Sequence, residues 1–116
     1  MRQQTVPISG ALAARVSAFL SYCRVDKGLS NNSLDAYRRD LTRLAAWADK
    51  AKAPEVPQVD DLRRYLDSLH AAGLTSRSIA RHLASLRGFY RFLVEQSTTA
   101  SDPTEFLHTP KQWSAL

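Results

Sequence analysis

Residues 75–94, TSRSIARHLASLRGFYRFLV, carry the pattern on which the fold prediction depends. Apolar side chains recur there every three or four residues, a spacing that aligns them along one face of an α-helix: Ile79, Leu83, Leu86, Tyr90 and Leu93. The opposite face carries a second set: Arg77, Arg81 and Gly88, with Ser78 and Ser85 beside them. The segment contains four arginines, and no acidic residue appears before Glu95. The pattern predicts a helix with one buried face and one strongly basic face.

The basic face begins at the helix N-terminus, where the helix itself attracts negative charge. First-turn N–H groups and the helix dipole both act in this direction, so arginines without neighbouring acids favour an anionic ligand. An ordinary solvated basic surface explains the same residues. This helix alone does not separate the two interpretations.

The composition is that of one globular domain with a basic surface. At 116 residues the chain is long enough for a single hydrophobic core, and 44% of its residues are hydrophobic. The formal net charge of +5 favours a polyanion as the charged partner. The single cysteine, Cys23, excludes an internal disulfide and fits a reducing compartment. No apolar run suits a membrane span or a signal peptide, which predicts a cytoplasmic protein with no membrane partner.

Three further segments show helical periodicity. The first ends at Gly28 and has this apolar stripe: Leu12, Val16, Phe19, Leu20 and Cys23. The second covers residues 31–50, and its apolar stripe consists of Leu34, Tyr37, Leu41, Leu44, Ala45 and Ala48. The third begins at Asp60 and Asp61, whose carboxylates suit the positive end of the helix dipole, and ends at Gly73.

These segments predict an all-α bundle of four main helices. Thr75 or Ser76 caps the fourth helix, and the Asp102-Pro103 pair starts a short fifth helix near the C-terminus. No segment alternates as a strand would. We predict a flexible lead-in over residues 1–10, the folded domain over residues 11–108, and the start of a linker over residues 109–116.

The common catalytic and metal-binding patterns are missing from the sequence. His70, His82 and His108 are scattered, and none pairs with another residue at metal-ligand spacing. The four glycines are isolated, so no phosphate-binding loop is formed. Tyr37 and Tyr90 lie on apolar stripes, where a tyrosine is typically a core residue. The sequence therefore predicts no catalytic residue, no metal and no cofactor.

The second helix repeats the arrangement of the fourth. It begins with short polar side chains and places Asn32, Arg39 and Arg43 opposite its apolar stripe. An α-helix fits the major groove of B-DNA, where arginine reads guanine edges and Ser, Asn and Lys anchor phosphates. Two such helices favour double-stranded DNA over RNA, for which an exposed aromatic platform is missing. Arg87 flanks the apolar stripe, and we assign it a structural role in a pair with Asp40.

Four phrases of the sequence stand in a specific order: GLSNNSLDAYRRDLTRL, DDLRRYLDSL, GLTSRSIARHLASLRGFYRFLVEQ and DPTEFLHTPK. Together they resemble the N-terminal core-binding domain of Xer-type tyrosine recombinases and phage integrases. The likeness covers residues 12–111, nearly the whole chain. Each motif alone is degenerate, but their order and spacing together are specific.

The resemblance implies an orthogonal, SAM-like bundle that forms half of a clamp around DNA. In that family the helices matching the second and fourth enter the major groove of a recombination half-site. The family's Ser/Thr-x-x-x-Tyr-Arg-Arg-Asp pattern falls here on Ser33, Tyr37, Arg38, Arg39 and Asp40. Its second groove-facing pattern falls on Ser76, Arg77, Ser78 and Arg81. Two further DNA-binding residues replace a commoner pair of an acid followed by Asn: Asn31 and Asn32.

The resemblance also implies what this sequence lacks. The family's catalytic residues belong to a C-terminal domain that is absent here, so we expect this chain to bind DNA without cutting it. The parent is expected to be a bacterial recombinase whose protomers assemble on DNA, with chromosome-dimer resolution favoured over phage integration or transposition. The isolated domain is expected to be a monomer.

Two other functions compete with this interpretation. A stand-alone helix-turn-helix regulator would bind operators as a symmetric dimer. An α-helical adaptor would leave the arginines merely solvated and use Trp47 or Phe92 as interface anchors. The residues alone leave the regulator close to the clamp domain, and the family resemblance separates them.

Overall fold

The computed structural model describes residues 10–108, which form four α-helices and one 3₁₀ turn. The helices are α1 (Ala11–Val25), α2 (Asn31–Ala51), α3 (Val59–Ala71) and α4 (Ser76–Glu95), and the turn covers Pro103–Phe106. The all-α prediction and the short fifth element are thereby confirmed. The predicted lead-in over residues 1–10, except Gly10, and the predicted linker over residues 109–116 lie outside the described residues.

The chain divides into two compact units, of which residues 10–56 and residues 57–108 are described. The N-terminal unit contains α1 and α2, which pack against each other. Phe19 of α1 meets Tyr37 of α2 edge-on, with 5.2 Å between the ring centroids. An ion pair between Arg15 and Glu55 fastens α1 to the segment after α2. The predicted apolar stripes supply the buried residues of both helices: Leu12, Val16, Phe19 and Cys23 in α1, and Leu34, Leu41, Leu44, Ala45 and Ala48 in α2.

Gly28 ends the first helical segment as the sequence predicts. The last helical residue is Val25, and the backbone N–H of Leu29 returns to the carbonyl of Cys23 at 3.1 Å. Gly28 has a φ of +63°, in the left-handed region that side chains with a Cβ disfavour. A glycine therefore allows the chain to leave α1 and reach the start of α2 with five residues between the two helices.

In the C-terminal unit, α4 packs against both α3 and the 3₁₀ turn. Asp102 Oδ1 accepts the backbone N–H of Thr104 at 2.9 Å and so caps the turn. Arg87 of α4 donates from Nη2 to the carbonyl oxygen of Leu107 at 2.9 Å. Arg87 thus holds the turn against α4, which is a structural contact. Its predicted pairing with Asp40, a residue only 1% exposed, stays a prediction.

Tyr90 is a core residue of the C-terminal unit. Its side chain is fully buried, and its hydroxyl donates to the carbonyl oxygen of Pro57 at 2.7 Å. Burial raises the pKa of Tyr90 well above the usual tyrosine value, and Asp61 and Asp102 raise it further. The hydroxyl therefore stays protonated as a hydrogen-bond donor, which is the structural role that the sequence predicts for this tyrosine.

Cys23 is likewise a core residue. It is 3% exposed, and burial raises the pKa of its thiol, an effect that Lys27 partly opposes. A thiol that is buried and protonated is a poor nucleophile. The interpretation of this cysteine as an apolar packing residue is confirmed.

Two expectations about α4 are wrong. Ser85 was expected beside the arginines, but it is only 5% exposed. Phe92 was named as an exposed interface anchor for the adaptor alternative, yet it is 8% exposed and belongs to the core. α4 has nine buried residues, among them His82, so its buried face is wider than the single stripe that the sequence indicates. Among residues 10–108, no helix is both long and apolar enough to cross a membrane.

Candidate nucleic-acid interface

The predicted DNA-binding residues of the N-terminal unit lie in the first three turns of α2. Ser30 precedes the helix, and its Oγ accepts the backbone N–H of Ser33 at 3.2 Å. The two hydroxyls are 3.3 Å apart. Asn31, Asn32 and Ser33 are exposed in the turn that this cap organises. The cap therefore presents three short polar side chains to solvent at the positive end of the helix dipole.

α4 begins in the same way in the C-terminal unit. Thr75 is the N-cap, and its Oγ1 accepts the backbone N–H of Ser78 at 3.1 Å. The hydroxyls of Thr75 and Ser78 are 3.2 Å apart. Arg77 is exposed, and the flanking Ser76 and Ser78 are half-buried. Each unit thus contains one helix with a hydroxyl cap, a serine at the third helical position and predicted binding residues in its first turn.

The start of α3 differs from these two helix starts in charge. Asp60 and Asp61 occupy its first turn, and Asp61 Oδ2 accepts the backbone N–H of Gln58 at 2.9 Å. The first turns of α2 and α4 contain no acidic residue. Carboxylates already neutralise the positive end of α3, whereas an external anion can bind at the N-termini of α2 and α4.

The arginines of α3 also differ from those of α2 and α4, because they are paired with acidic residues. On α3, Arg63 and Arg64 are paired with the first-turn carboxylates at 3.3 Å and 2.8 Å. On α2 and α4 there are four exposed arginines with no ion pair or hydrogen bond within residues 10–108: Arg39, Arg43, Arg77 and Arg91. Uncompensated positive charge is therefore concentrated on the two helices that the sequence singles out.

Arg81 lies one turn after Arg77 on the same face of α4, and it is exposed. Two arginines four residues apart on a helix repel each other, which costs helix stability in the absence of a counter-charge. Arg39 and Arg43 repeat this spacing on α2. An arginine pair on each helix is an arrangement that a row of phosphates would stabilise.

A comparison with protein families identifies the family of the domain. A model of the family described as "Phage integrase, N-terminal SAM-like domain" matches residues 16–97. The chain belongs to this family. Membership confirms the resemblance found in the sequence and the SAM-like, all-α fold. No solved structure gives a significant match.

Three similar relatives of this SAM-like domain share one name. "Tyrosine recombinase XerC" of Xanthomonas campestris pv. campestris (strain B100) is 34% identical over 109 residues, which cover 92% of this chain and 34% of the relative. The protein of the same name from Pseudomonas aeruginosa (strain LESB58) is 37% identical over 102 residues, which cover 86% of this chain and 34% of the relative. The protein of the same name from Xylella fastidiosa (strain M23) is 37% identical over 98 residues, which cover 83% of this chain and 33% of the relative. The chain therefore spans about a third of the length of these relatives.

Two predicted binding residues of the SAM-like domain have contacts of their own. Arg38 Nη1 is 2.7 Å from Asp35 Oδ1, and both side chains are more than half exposed. Such an exposed pair contributes little stability, so an incoming phosphate can compete with Asp35 for the guanidinium. Tyr37 is half-buried and packs on Phe19, which leaves its contribution to the surface small. Of the family pattern on α2, Ser33 and Arg39 are the members most open to a ligand.

One surface residue of the SAM-like domain was missing from the predicted site. Arg43 follows Arg39 by one turn, is exposed, and has no partner within residues 10–108. Its place opposite the apolar stripe was visible in the sequence, but the family pattern ends before it. The one acid three or four residues away, Asp40, is buried and makes no ion pair with Arg43, so the structure and not the sequence shows that Arg43 is available.

Proposed function

We propose that this domain binds double-stranded DNA through the N-terminal halves of α2 and α4, as the binding module of a tyrosine recombinase. The observation that carries the proposal is that four exposed arginines of these two helices have no ion pair or hydrogen bond within residues 10–108, on helices whose first turns contain no acid. The first turn of α3 contains two carboxylates, which repel phosphate, so we assign its arginines no DNA contact. Family membership and the names of the relatives support DNA as the anion.

Each predicted residue has a role that follows from its chemistry. The first-turn amides and the short polar side chains position the two helix starts on phosphates, and they carry no sequence information. These residues are Asn31, Asn32 and Ser33 on α2, and Ser76 and Ser78 on α4. Arg39, Arg77 and Arg81 extend further and read guanine edges in the major groove of a recombination half-site, and Arg38 contacts the backbone.

The parent activity belongs to the same proposal. The matched part of the relatives is about a third of their length, and we assign DNA cleavage and rejoining to the remainder. The domain then holds the half-site while protomers assemble on DNA. By itself it binds as a monomer, with chromosome-dimer resolution as the favoured role of the parent.

The salt dependence of binding tests the proposal. We expect the affinity for a fluorescent duplex, followed by anisotropy with the full 116-residue chain, to fall linearly on a log–log plot as salt rises from about 50 to 200 mM. Each phosphate contact adds about 0.9 to the slope, so removal of one contacting arginine lowers it by about one.

The same titration separates the competing functions. One domain per half-site agrees with a clamp module, whereas a symmetric pair of domains per site would indicate a stand-alone regulator. A flat salt dependence with no duplex binding at low salt would support the adaptor. Phe92 no longer supports that alternative, because an anchor for a partner must be exposed and Phe92 is buried.

A further inference from the structure

A buried histidine lies next to one of the proposed DNA-binding arginines. His82 of α4 is 4% exposed, although an imidazole is a polar group that needs hydrogen-bond partners when it is buried. Its Nδ1 is 3.5 Å from the hydroxyl of Tyr65, which is itself 1% exposed. Its Nε2 is 3.5 Å from Nη2 of Arg81. The two contacts connect Tyr65, in the core of the C-terminal unit, through His82 to the exposed guanidinium of Arg81.

The chemistry of the partners fixes the state of the imidazole. Arginine only donates hydrogen bonds, so Nε2 of His82 must be the acceptor and carry no proton. In a neutral ring the proton is then on Nδ1, where it points to the hydroxyl oxygen of Tyr65. A protonated ring would place an N–H group against the guanidinium, with two positive charges side by side. A neutral His82 with its proton on Nδ1 satisfies both contacts.

We infer that His82 is a positioning residue that holds the Arg81 guanidinium ready for DNA. The inference rests on the proposed function, because it names a device that serves the same surface. An arginine side chain has many rotamers, and binding must fix one of them at an entropic cost. A buried, oriented acceptor fixes Nη2 of Arg81 before DNA arrives. One such contact does not exhaust the five N–H donors of a guanidinium, so the same group can bind a base or a phosphate.

Arg77 provides the internal comparison. It is on the same face of α4, one turn earlier, and it has no hydrogen bond or ion pair within residues 10–108. An arginine without such a contact pays the full ordering cost on binding. Loss of His82 should therefore affect DNA binding only through Arg81 and not through Arg77.

A double-mutant cycle tests this inference. His82→Phe keeps an aromatic ring but removes the acceptor, and His82→Gln keeps an acceptor near the position of Nε2. We expect His82→Phe to weaken duplex binding by about three- to tenfold in the wild-type background and by the same factor with Arg77→Ala, but to have no effect with Arg81→Ala. His82→Gln should recover most of the loss.

A second readout needs no DNA. In the free protein, the side-chain Nε–Hε NMR signal of Arg81 should be shifted and protected from exchange, and His82→Phe should move it toward the position of an unrestrained arginine. If His82→Phe does not fold, as judged by thermal unfolding, Tyr65→Phe removes the partner of Nδ1 instead. That variant should weaken binding less, and again only when Arg81 is present.

The outcomes distinguish this inference from the proposed function. An equal loss of affinity with and without Arg81 would mean that His82 acts through the fold, and the inference would be wrong while the proposed function stands. An unchanged Arg81 signal in His82→Phe would also overturn it. If Arg81→Ala binds DNA as tightly as the wild type, Arg81 does not contribute to DNA binding. The inference about His82 is then wrong as well.

Discussion

Replacement of both Arg77 and Arg81 with alanine should abolish most duplex binding while the domain stays folded. Both side chains are exposed on the face of α4 opposite its core, so their removal leaves no cavity. An arginine contact to a base is worth about 1–3 kcal/mol, and two contacts at the lower half of that range amount to about a 30- to 1,000-fold loss of affinity. Anisotropy titrations at fixed salt measure the affinity, and circular dichroism measures the helicity.

The matched control is the double variant Arg63→Ala, Arg64→Ala. It removes the same charge from the same unit, but these arginines are paired with Asp60 and Asp61 on α3. A loss of less than about threefold is expected, which reflects only the change in the overall field. Equal losses in the two variants would show that net charge alone drives binding, and the assignment to α4 would be wrong. A loss of helicity in the α4 variant would invalidate the comparison and contradict our description of an exposed face.

Leu86→Ala should have the largest effect on stability. Leu86 is 1% exposed on the buried face of α4, between the predicted stripe residues Leu83 and Tyr90. Truncation of a buried leucine removes apolar contacts and leaves a cavity, at a cost of about 2–5 kcal/mol in the free energy of unfolding. For a small domain such a loss is a large part of the total stability. Urea denaturation followed by circular dichroism measures it.

Val94→Ala on the same helix is the control for Leu86→Ala. Val94 is 36% exposed near the C-terminal end of α4, so its truncation should change the free energy of unfolding by less than about 1 kcal/mol. The folded fraction of Leu86→Ala should still bind DNA once its titration is corrected for unfolding. A cost for Leu86→Ala as small as that for Val94→Ala would contradict its position in the core.

The helices were predictable because each has a regular period and clear end signals. Gly28, the two aspartates at the start of α3, and Thr75 mark boundaries through local chemistry, which a sequence displays directly. The width of the buried face of α4 was not predictable in the same way. A single apolar stripe assumes one packing partner, but α4 packs on both α3 and the 3₁₀ turn. Ser85 and Phe92 are buried although they lie outside that stripe.

The sequence indicates where the arginines of the site lie, but not which of them pair with acidic residues. The arginines opposite the apolar stripes of α2 and α4 were evident from the helical period. Whether an arginine is available depends on side-chain geometry, as the contact between Arg38 and Asp35 shows. Arg43 was left out because the family pattern ends before it. His82 was treated as an isolated histidine, since its burial and its contact with Tyr65, 17 residues away in sequence, are not visible in the sequence pattern.

An NMR titration of the labelled domain with a short duplex that carries a Xer-like half-site, at two salt concentrations, tests the central claim most directly. We expect backbone shifts concentrated at residues 31–39 and 76–81, with Arg43 and the Arg81 side chain included, and weaker shifts at the higher salt concentration. Residues of α3 should barely move, because the two carboxylates in its first turn repel phosphate. No shifts at low salt, or shifts confined to Trp47 and its surroundings, would contradict the claim and identify the basic faces as ordinary solvated surface.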